Sequence, residues 1–178
     1  MEMLDILNED GSPTGKQVSK KEAHEKGLWH RAAHVWLVNN NNEILVQKRA
    51  QHIESHPGEY DISAAGHLSA GDSPMEGALR EVEEELGIKL DSEELIKIGE
   101  ISNQSTQHEG KYINKEWDDV YVVRRDIPIE EFVIQEDEVE LVKYVPITEF
   151  KEWIESGGEN LVMHPEEFTL LFEYLASN

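Results

Sequence analysis

Short runs of alternating or β-branched apolar residues along the chain predict strands. The predicted strands cover residues 4–8, 33–38, 44–48, 60–65, 95–101, 119–124 and 139–145. Four asparagines at positions 39–42 separate the second strand from the third. Because asparagine tolerates the positive φ angles of a tight turn, these two strands are predicted to form an antiparallel hairpin.

Three other segments have the spacing of amphipathic helices. They cover residues 74–86, about 148–155 and about 165–176. In the last segment Phe168, Leu171, Phe172 and Leu175 recur at helical spacing, which indicates packing against a core. Helices mixed with strands predict an α/β or α+β layer fold. The length of 178 residues fits one domain spanning residues 1–178.

The composition is strongly acidic. The chain has 16 basic and 38 acidic side chains, a net charge of −22, and no cysteine. A charge of this sign repels nucleic acids and anionic membranes, so we expect neither as a partner. The missing cysteine excludes disulfides, thiolate zinc sites and cysteine nucleophiles. The chain shows no signal-peptide pattern and no apolar run of membrane-spanning length, so a cytoplasmic location is expected. The oligomeric state is not indicated.

The helix predicted at residues 74–86 carries acidic side chains at a notable spacing. Ser73 is a favoured N-cap residue, Pro74 a favoured first residue, and Gly87 a favoured end of a helix. The apolar residues of the segment share one face. On roughly the opposite face the pattern gathers three glutamates, Glu81, Glu84 and Glu85.

These three glutamates fit two interpretations. Carboxylates at positions i, i+3 and i+4 repel one another and weaken a helix, but together they can bind Mg²⁺ or Mn²⁺. The same spacing also fits an ordinary solvated face in so acidic a chain. Spacing alone therefore leaves the choice open.

The wider stretch, residues 66–88, resembles the Nudix box. It reads Gly, five residues, an acid, seven residues, then Arg-Glu-Val-Glu-Glu-Glu-Leu-Gly-Ile. The family pattern has Glu where Asp72 stands, and every other fixed position matches. The resemblance implies an α/β/α sandwich with a mixed β-sheet and a loop–helix–loop catalytic box. It also implies a hydrolase that cleaves a diphosphate linkage in a nucleoside diphosphate derivative, a small-molecule substrate.

The resemblance also implies roles for single residues. The metal ligands for Mg²⁺ or Mn²⁺ would be Glu81, Glu84, Glu85 and the carbonyl of Gly66. Arg80 would orient one of the glutamates through a salt bridge. Asp72 would do the supporting work of the usual Glu with a shorter side chain. Glu81 is the first choice within the box as the group that accepts a proton from the attacking water.

The segment ahead of the first hairpin resembles isopentenyl diphosphate isomerases and the Nudix hydrolases related to them. In those isomerases histidines and later glutamates hold a metal, and here the matching positions are His24, His30, His67 and Glu116. The resemblance implies a second metal site; surface exposure or strand packing are the alternatives for the histidines. The isomerase requires a cysteine where Ala65 stands, so the sequence argues against isomerase activity.

Further residues are candidates for substrate contacts. Glu116 is a candidate metal ligand or base, and Arg49 and Arg31 are candidates for binding substrate phosphates. Weaker candidates for phosphate or base contacts are Lys48, Lys111, Lys115, Trp29, Trp117 and Tyr112. Specificity is expected to lie in residues 47–58 and 102–115. Besides the isomerase, a non-catalytic nucleotide-binding module remains an alternative because of Asp72.

Overall fold

A computed structural model describes residues 2–177 of the chain. The strands are β1 (Met3–Leu7), β2 (Pro13–Ser19), β3 (His30–Val38), β4 (Glu43–Arg49), β5 (Tyr60–Asp61), β6 (Ala64–His67), β7 (Ile96–Gln107), β8 (Tyr112–Arg124) and β9 (Val139–Pro146). The α-helices are α1 (Lys20–Lys26), α2 (Pro74–Leu86), α3 (Ile147–Glu155) and α4 (Pro165–Ser177). None of the helices in this part of the chain has the length and apolar character needed to cross a bilayer.

The main sheet is mixed. Its strand order is β5-β4-β3-β8-β7, with β6 paired to β3 and β9 paired to β4. Strands β3 and β8 run parallel, whereas β7 pairs antiparallel with β8, and β4 pairs antiparallel with β3 and β9. Strands β1 and β2 form a separate two-stranded sheet.

Helices cover both faces of this sheet. Alternate side chains of β3 point to opposite faces. Val35 and Leu37 join a buried cluster with Val82 of α2. Trp36 joins a second buried cluster with aromatic side chains of α3 and α4, among them Phe168. The predicted α/β/α sandwich with a mixed sheet is therefore confirmed, and so is the core role of α4.

The ends of α2 follow the local rules read from the sequence. The Ser73 hydroxyl accepts a hydrogen bond from the Glu76 backbone N–H, and the Glu76 carboxylate accepts one from the Ser73 N–H. This reciprocal capping box stabilises a helix start by about 1 kcal/mol. At the other end Gly87 has a φ of 69°, a left-handed conformation that glycine adopts without strain.

The strand predicted at residues 60–65 is instead two short strands, β5 and β6. Between them, the Ser63 hydroxyl accepts from the Leu37 N–H at 2.8 Å and donates to the Leu45 carbonyl at 2.6 Å. A side chain thus replaces the backbone pairing at this point, and the chain moves from β4 to β3. This shift carries Ala65, Gly66 and His67 to the edge of a cavity.

Other differences arise where the apolar pattern is weak. Strand β2 and helix α1 were not predicted because their residues are mostly polar. Strands β7 and β8 extend about six residues beyond the predicted ends, through polar residues of the specificity segment 102–115. The pairing of β7 with β8 continues to Gln107 and Tyr112, so backbone hydrogen bonds hold the end of this extension, where residues 102–107 and 112–115 are at most partly buried.

Candidate functional site

A large open cavity of about 1790 Å³ lies between α2, the β6 edge and the tip of the β7–β8 hairpin. The predicted site residues that line it are Arg49, Gly66, His24, His67, Arg80, Glu81, Glu84, Glu85 and Glu116. Both segments predicted to set specificity also reach it. Gln107 of β7 contacts Ser55 and His56 of the loop after β4, with side-chain distances of 3.1 and 3.2 Å.

Arg80 joins the parts of the box. Its guanidinium lies 2.6 Å from Glu81 and 3.0 Å from Glu84, and it donates to the His67 carbonyl at 2.8 Å. Its Nε is 3.5 Å from the carboxylate of Asp72. Arg80 is therefore placed to orient Glu81 and Glu84, and Asp72, despite its shorter side chain, still reaches Arg80.

The structure revises the predicted orientation of the glutamates on α2. Glu81 and Glu85 are 7 % and 3 % exposed and lie beside the buried face, next to Val82. Only Glu84 of the three has a largely exposed side chain. Glu81 and Glu85, one helical turn apart, point into the space between the edge of α2 and the sheet, where the cavity opens. An ordinary solvated acidic face is therefore excluded for Glu81 and Glu85.

Burial makes these two carboxylates hard to ionise. Loss of solvent raises the pKa of Glu81 to about 7, against the opposing pull of Arg80. Loss of solvent, together with the charge of Glu81, raises the pKa of Glu85 to about 8. Arg80 offsets only part of this cost, so the two buried acids remain costly unless a further cation joins them.

The donors around Glu85 are neutral. One of its oxygens accepts from the Gln47 side chain at 3.1 Å and from the Ala65 N–H at 3.0 Å. Gly66 lies directly against Glu81, since a Cβ at this glycine would overlap the Glu81 carboxylate. The glycine is thus required for close approach between the β6 backbone and the helix, which places its peptide next to the predicted ligands.

A second cluster contains the histidines predicted from the upstream segment. Ring nitrogens of His24, His30 and His67 lie within 4.8 Å of one another. The Nε2 atoms of His24 and His67 are 3.2 Å apart, and Glu116 Oε1 is 2.9 Å from His67 Nε2. The His30 Nε2 atom, 3.4 Å from the same oxygen, has no hydrogen-bond partner among the described residues. Such a donor set fits a divalent metal ion.

The charges of this cluster are interdependent. Burial, with the charges of its histidine neighbours, lowers the pKa of His24 to about 4. Burial also lowers the pKa of His67, whereas Glu116 outweighs burial and raises the pKa of His30. Burial opposes ionisation of Glu116, but His30 and His67 outweigh it and hold its pKa well below the usual range. A charged carboxylate beside a neutral imidazole is the state in which both bind metals.

Arg49 reaches the cavity and is held by groups that the sequence did not reveal. Its guanidinium lies 3.2 Å from Asp61, whose other oxygen lies 2.9 Å from His164 Nε2. The histidine and the arginine outweigh burial and lower the pKa of Asp61. His34 lies in the same region, with its Nδ1 2.9 Å from Glu167. No apolar or acidic spacing marks these residues, because they come from β3, β5, α4 and the segment before α4.

The structure does not bring Arg31 to the cavity. Its side chain pairs with buried Asp119 at 2.6 Å and with Glu100 at 3.0 Å. Successive β3 residues face opposite sides of the sheet, so Arg31 points away from the side of His30. Its predicted contact with substrate phosphates is therefore wrong for this conformation.

Some of the weaker candidates for substrate contacts line the cavity, and others make contacts elsewhere. Tyr112 and Lys111 line the cavity, and Tyr112 stacks on His24 with ring centroids 4.2 Å apart. Trp29 and Trp117 pack against each other instead, with Lys115 over the Trp29 ring. Lys48 pairs with Glu140. The two tryptophans thus serve packing.

Comparison with known proteins decides the family. The model of the NUDIX domain matches residues 28–164, more than three quarters of the chain and the whole of the box. The chain belongs to the Nudix family. An uncharacterized Nudix hydrolase of Clostridium acetobutylicum is 36% identical over 87% of this chain and 75% of its own length.

Other Nudix proteins extend the comparison. Nudix hydrolase 3 of Arabidopsis thaliana is 42% identical over 86% of this chain, but the chain covers only 20% of the plant protein. An isopentenyl-diphosphate Delta-isomerase of Pectobacterium atrosepticum is 28% identical over 94% of this chain and 86% of its own. The predicted place among Nudix hydrolases with likeness to the isomerases is confirmed.

A solved structure supports the Nudix fold as well. The DR0079 protein of Deinococcus radiodurans superposes with a TM-score of 0.69, covering 95% of this chain and 97% of its own at 18% identity. Family match, hydrolase relatives and fold together indicate a Nudix hydrolase acting on pyrophosphate bonds.

Proposed function

We propose that this protein is a Mg²⁺- or Mn²⁺-dependent hydrolase that cleaves the diphosphate linkage of a nucleoside diphosphate derivative. The observation that carries the proposal is the pair of buried box carboxylates, Glu81 and Glu85, at the edge of an open cavity. Their pKa values are raised by burial, and the described hydrogen-bond donors to Glu85 are uncharged. A divalent cation is the missing partner that this donor set fits.

The residues of the box would have distinct roles in this reaction. Glu81, Glu84, Glu85 and the Gly66 carbonyl would hold the metal ions, with Arg80 fixing two of the carboxylates. A bound divalent ion would neutralise charge on the phosphoryl oxygens and lower the pKa of a bound water. Glu81 is our candidate to accept the proton of that water, because its carboxylate lies at the cavity wall beside Gly66 and is oriented by Arg80.

Glu116 and the histidines would form a second metal site next to the box. Arg80 links the two, since it donates to the His67 carbonyl while pairing with Glu81. Removing the shared acid while keeping its shape, as in Glu116→Gln, would leave three imidazoles without their carboxylate. This site is proposed for the same small-molecule reaction, with Glu116 as ligand or base.

Arg49→Gln should raise KM for the substrate about tenfold or more, with a smaller effect on kcat. The guanidinium at the cavity is held by Asp61 and by the Ser55 carbonyl, so it is positioned in advance for a phosphate. Steady-state kinetics measure both constants. Lys48→Gln is the matched control, because Lys48 is adjacent in sequence but pairs with Glu140. Equal effects of the two variants would contradict the assignment.

Gly66→Ala should lower turnover about tenfold or more and weaken Mg²⁺ binding, while the protein still folds. The added Cβ would displace the Glu81 carboxylate, which is the movable end of a side chain. Kinetics across a Mg²⁺ titration, with thermal unfolding in parallel, measure the effect. Ala65→Gly adds no atom at the neighbouring position and serves as control. Unchanged Mg²⁺ dependence in Gly66→Ala would exclude contact between this glycine and the metal site.

The reaction itself is tested with a panel of nucleoside diphosphate derivatives and Mg²⁺, watched for phosphate or nucleotide release. The binding-module alternative predicts that neither the native protein nor Asp72→Glu turns over any compound that binds. The contact between Arg80 and Asp72 favours the enzyme. Isopentenyl diphosphate belongs in the same panel, and Ala65 predicts no isomerisation of it.

The remaining predictions concern the setting of this activity. We propose that residues 1–178 form one domain, since the matched family region extends over elements from β3 to the start of α4. A cytoplasmic location also stays a prediction. Sequence reasoning offers no oligomeric state.

A further inference from the structure

A smaller cavity of about 210 Å³ lies beside the large one, between β7 and the start of α4. The two cavities share wall residues, among them Asn103, Gln104 and His164. A ligand whose diphosphate lies at the box can therefore extend its other end toward the smaller cavity. None of the residues predicted to act in the box lines it.

The smaller cavity contains an acceptor without a donor. Asp118 is 2 % exposed and lines the cavity, and its Oδ1 atom has no hydrogen-bond partner among the described residues. The nearest ion-pair atom, His34 Nε2, is 3.9 Å away, beyond hydrogen-bond distance. A buried acceptor left without a donor is costly, so a ligand that donates an N–H there is favoured.

The neighbouring acid is already satisfied. Glu167 accepts from the Trp36 indole N–H at 2.6 Å, and its other oxygen lies 2.9 Å from His34 Nδ1. These contacts hold His34 toward Glu167. Asp118 is therefore the acid of the pair that still lacks a hydrogen-bond donor.

The rest of the wall indicates the kind of ligand. Ile101, Met163 and Pro165 are apolar, while Glu166 adds a further negative charge and no lysine or arginine occurs in the described wall. Such a wall repels phosphate. It suits a flat, largely apolar ring that presents an N–H at its edge.

We propose that this pocket binds an amino-bearing nucleobase, with Asp118 accepting a hydrogen bond from the exocyclic amino group. The inference rests on the proposed function, because it treats the base as the far end of the nucleoside diphosphate derivative. A carboxylate oxygen accepts a hydrogen bond from the amino group of a base. An oxo group at the same position would instead place two hydrogen-bond acceptors, the oxo oxygen and the carboxylate, against each other. Asp118 is thus a specificity-determining residue for adenine- or cytosine-type substrates.

Neutral nucleosides test this pocket without the metal or the reaction. Adenosine and inosine, and cytidine and uridine, differ within each pair by an amino group against an oxo group. Each is titrated in EDTA into the ¹⁵N-labelled protein, and amide shifts of residues 102–104 and 166–167 are followed. We expect the amino member of at least one pair to bind about tenfold or more tightly than its partner.

Asp118→Asn should abolish or reverse this preference, because an amide also donates to an oxo group. Glu173→Gln is the control: it removes one negative charge from the exposed side of α4, outside the pocket. Equal affinities within both pairs, or no binding of any nucleoside at millimolar concentration, would overturn the proposal. If the protein prefers amino-bearing nucleosides but hydrolyses no diphosphate compound, this proposal stands and the proposed hydrolase activity is refuted.

Discussion

Glu84→Gln should lower kcat by about 10²–10³-fold and leave the fold intact. The Glu84 side chain is 53 % exposed, and its described ion-pair partner is Arg80 at 3.0 Å. Little packing is lost when the carboxylate becomes an amide of the same shape. The substitution removes one negative charge from the proposed ligand set, so its effect is expected on metal binding and turnover.

Glu83→Gln provides a matched comparison for this prediction. Glu83 is the preceding residue on α2, its side chain is 52 % exposed, and it pairs with Lys89 on the side away from the cavity. Both variants remove one negative charge, and the two positions are almost equally exposed. Steady-state kinetics over a range of Mg²⁺ concentrations, with urea unfolding, distinguish them. Similar activity in the two variants would remove Glu84 from the ligand set.

The sequence predicted the box because its determinants are local. Ser73, Pro74 and Gly87 define α2 through neighbours within four residues, and the structure begins and ends the helix where they predict. The apolar side chains of β3 and α2 likewise specify which faces pack together. The fold class and the bounds of the box helix therefore follow from the sequence and the family resemblance.

What the sequence did not reveal depends on contacts between distant elements. Helical periodicity gives the angle of each side chain around the helix axis, and on that basis Glu81 and Glu85 were placed opposite the core. It does not show how far the neighbouring sheet extends, and so it did not reveal that these two side chains are buried at the edge of the sheet. Arg31 was placed at the substrate because nothing local indicates that Asp119 pairs with it from a neighbouring strand. His164, preceding α4, reaches Asp61 across 103 residues. Such pairings become visible only when the strand order is known.

Glu85→Gln should stabilise the metal-free protein at pH 8 by about 4 kcal/mol and change its stability much less near pH 5.5. In the folded protein burial raises the pKa of Glu85 from 4.5 to about 8. Between these values the folded state binds a proton that the unfolded state has released. The free energy of unfolding therefore falls as pH rises through this window. An amide cannot ionise, so the variant lacks this loss.

The surroundings of Glu85 can accommodate the amide. The Ala65 N–H still has an oxygen to donate to, as it does at 3.0 Å in the native protein. The Gln47 Oε1 atom is buried and without a hydrogen-bond partner among the described residues, so it can accept from the new amide group. The substitution thus exchanges an uncompensated acid for a neutral hydrogen-bonded pair. The substitution should therefore weaken metal binding without destabilising the metal-free protein.

Urea unfolding at pH 5.5 and pH 8, in EDTA and in excess Mg²⁺, measures these effects. Other buried acids, Glu81 and Asp118 among them, also have raised pKa values near 7, so the difference between variant and native protein is the informative quantity. Mg²⁺ should stabilise the native protein at pH 8 and the variant much less, because binding to the folded state alone shifts its stability. If Glu85→Gln destabilises the metal-free protein at pH 8, the carboxylate is structural and the ligand assignment fails. Stabilisation without metal, combined with loss of the Mg²⁺ effect, is the result that a metal ligand alone predicts.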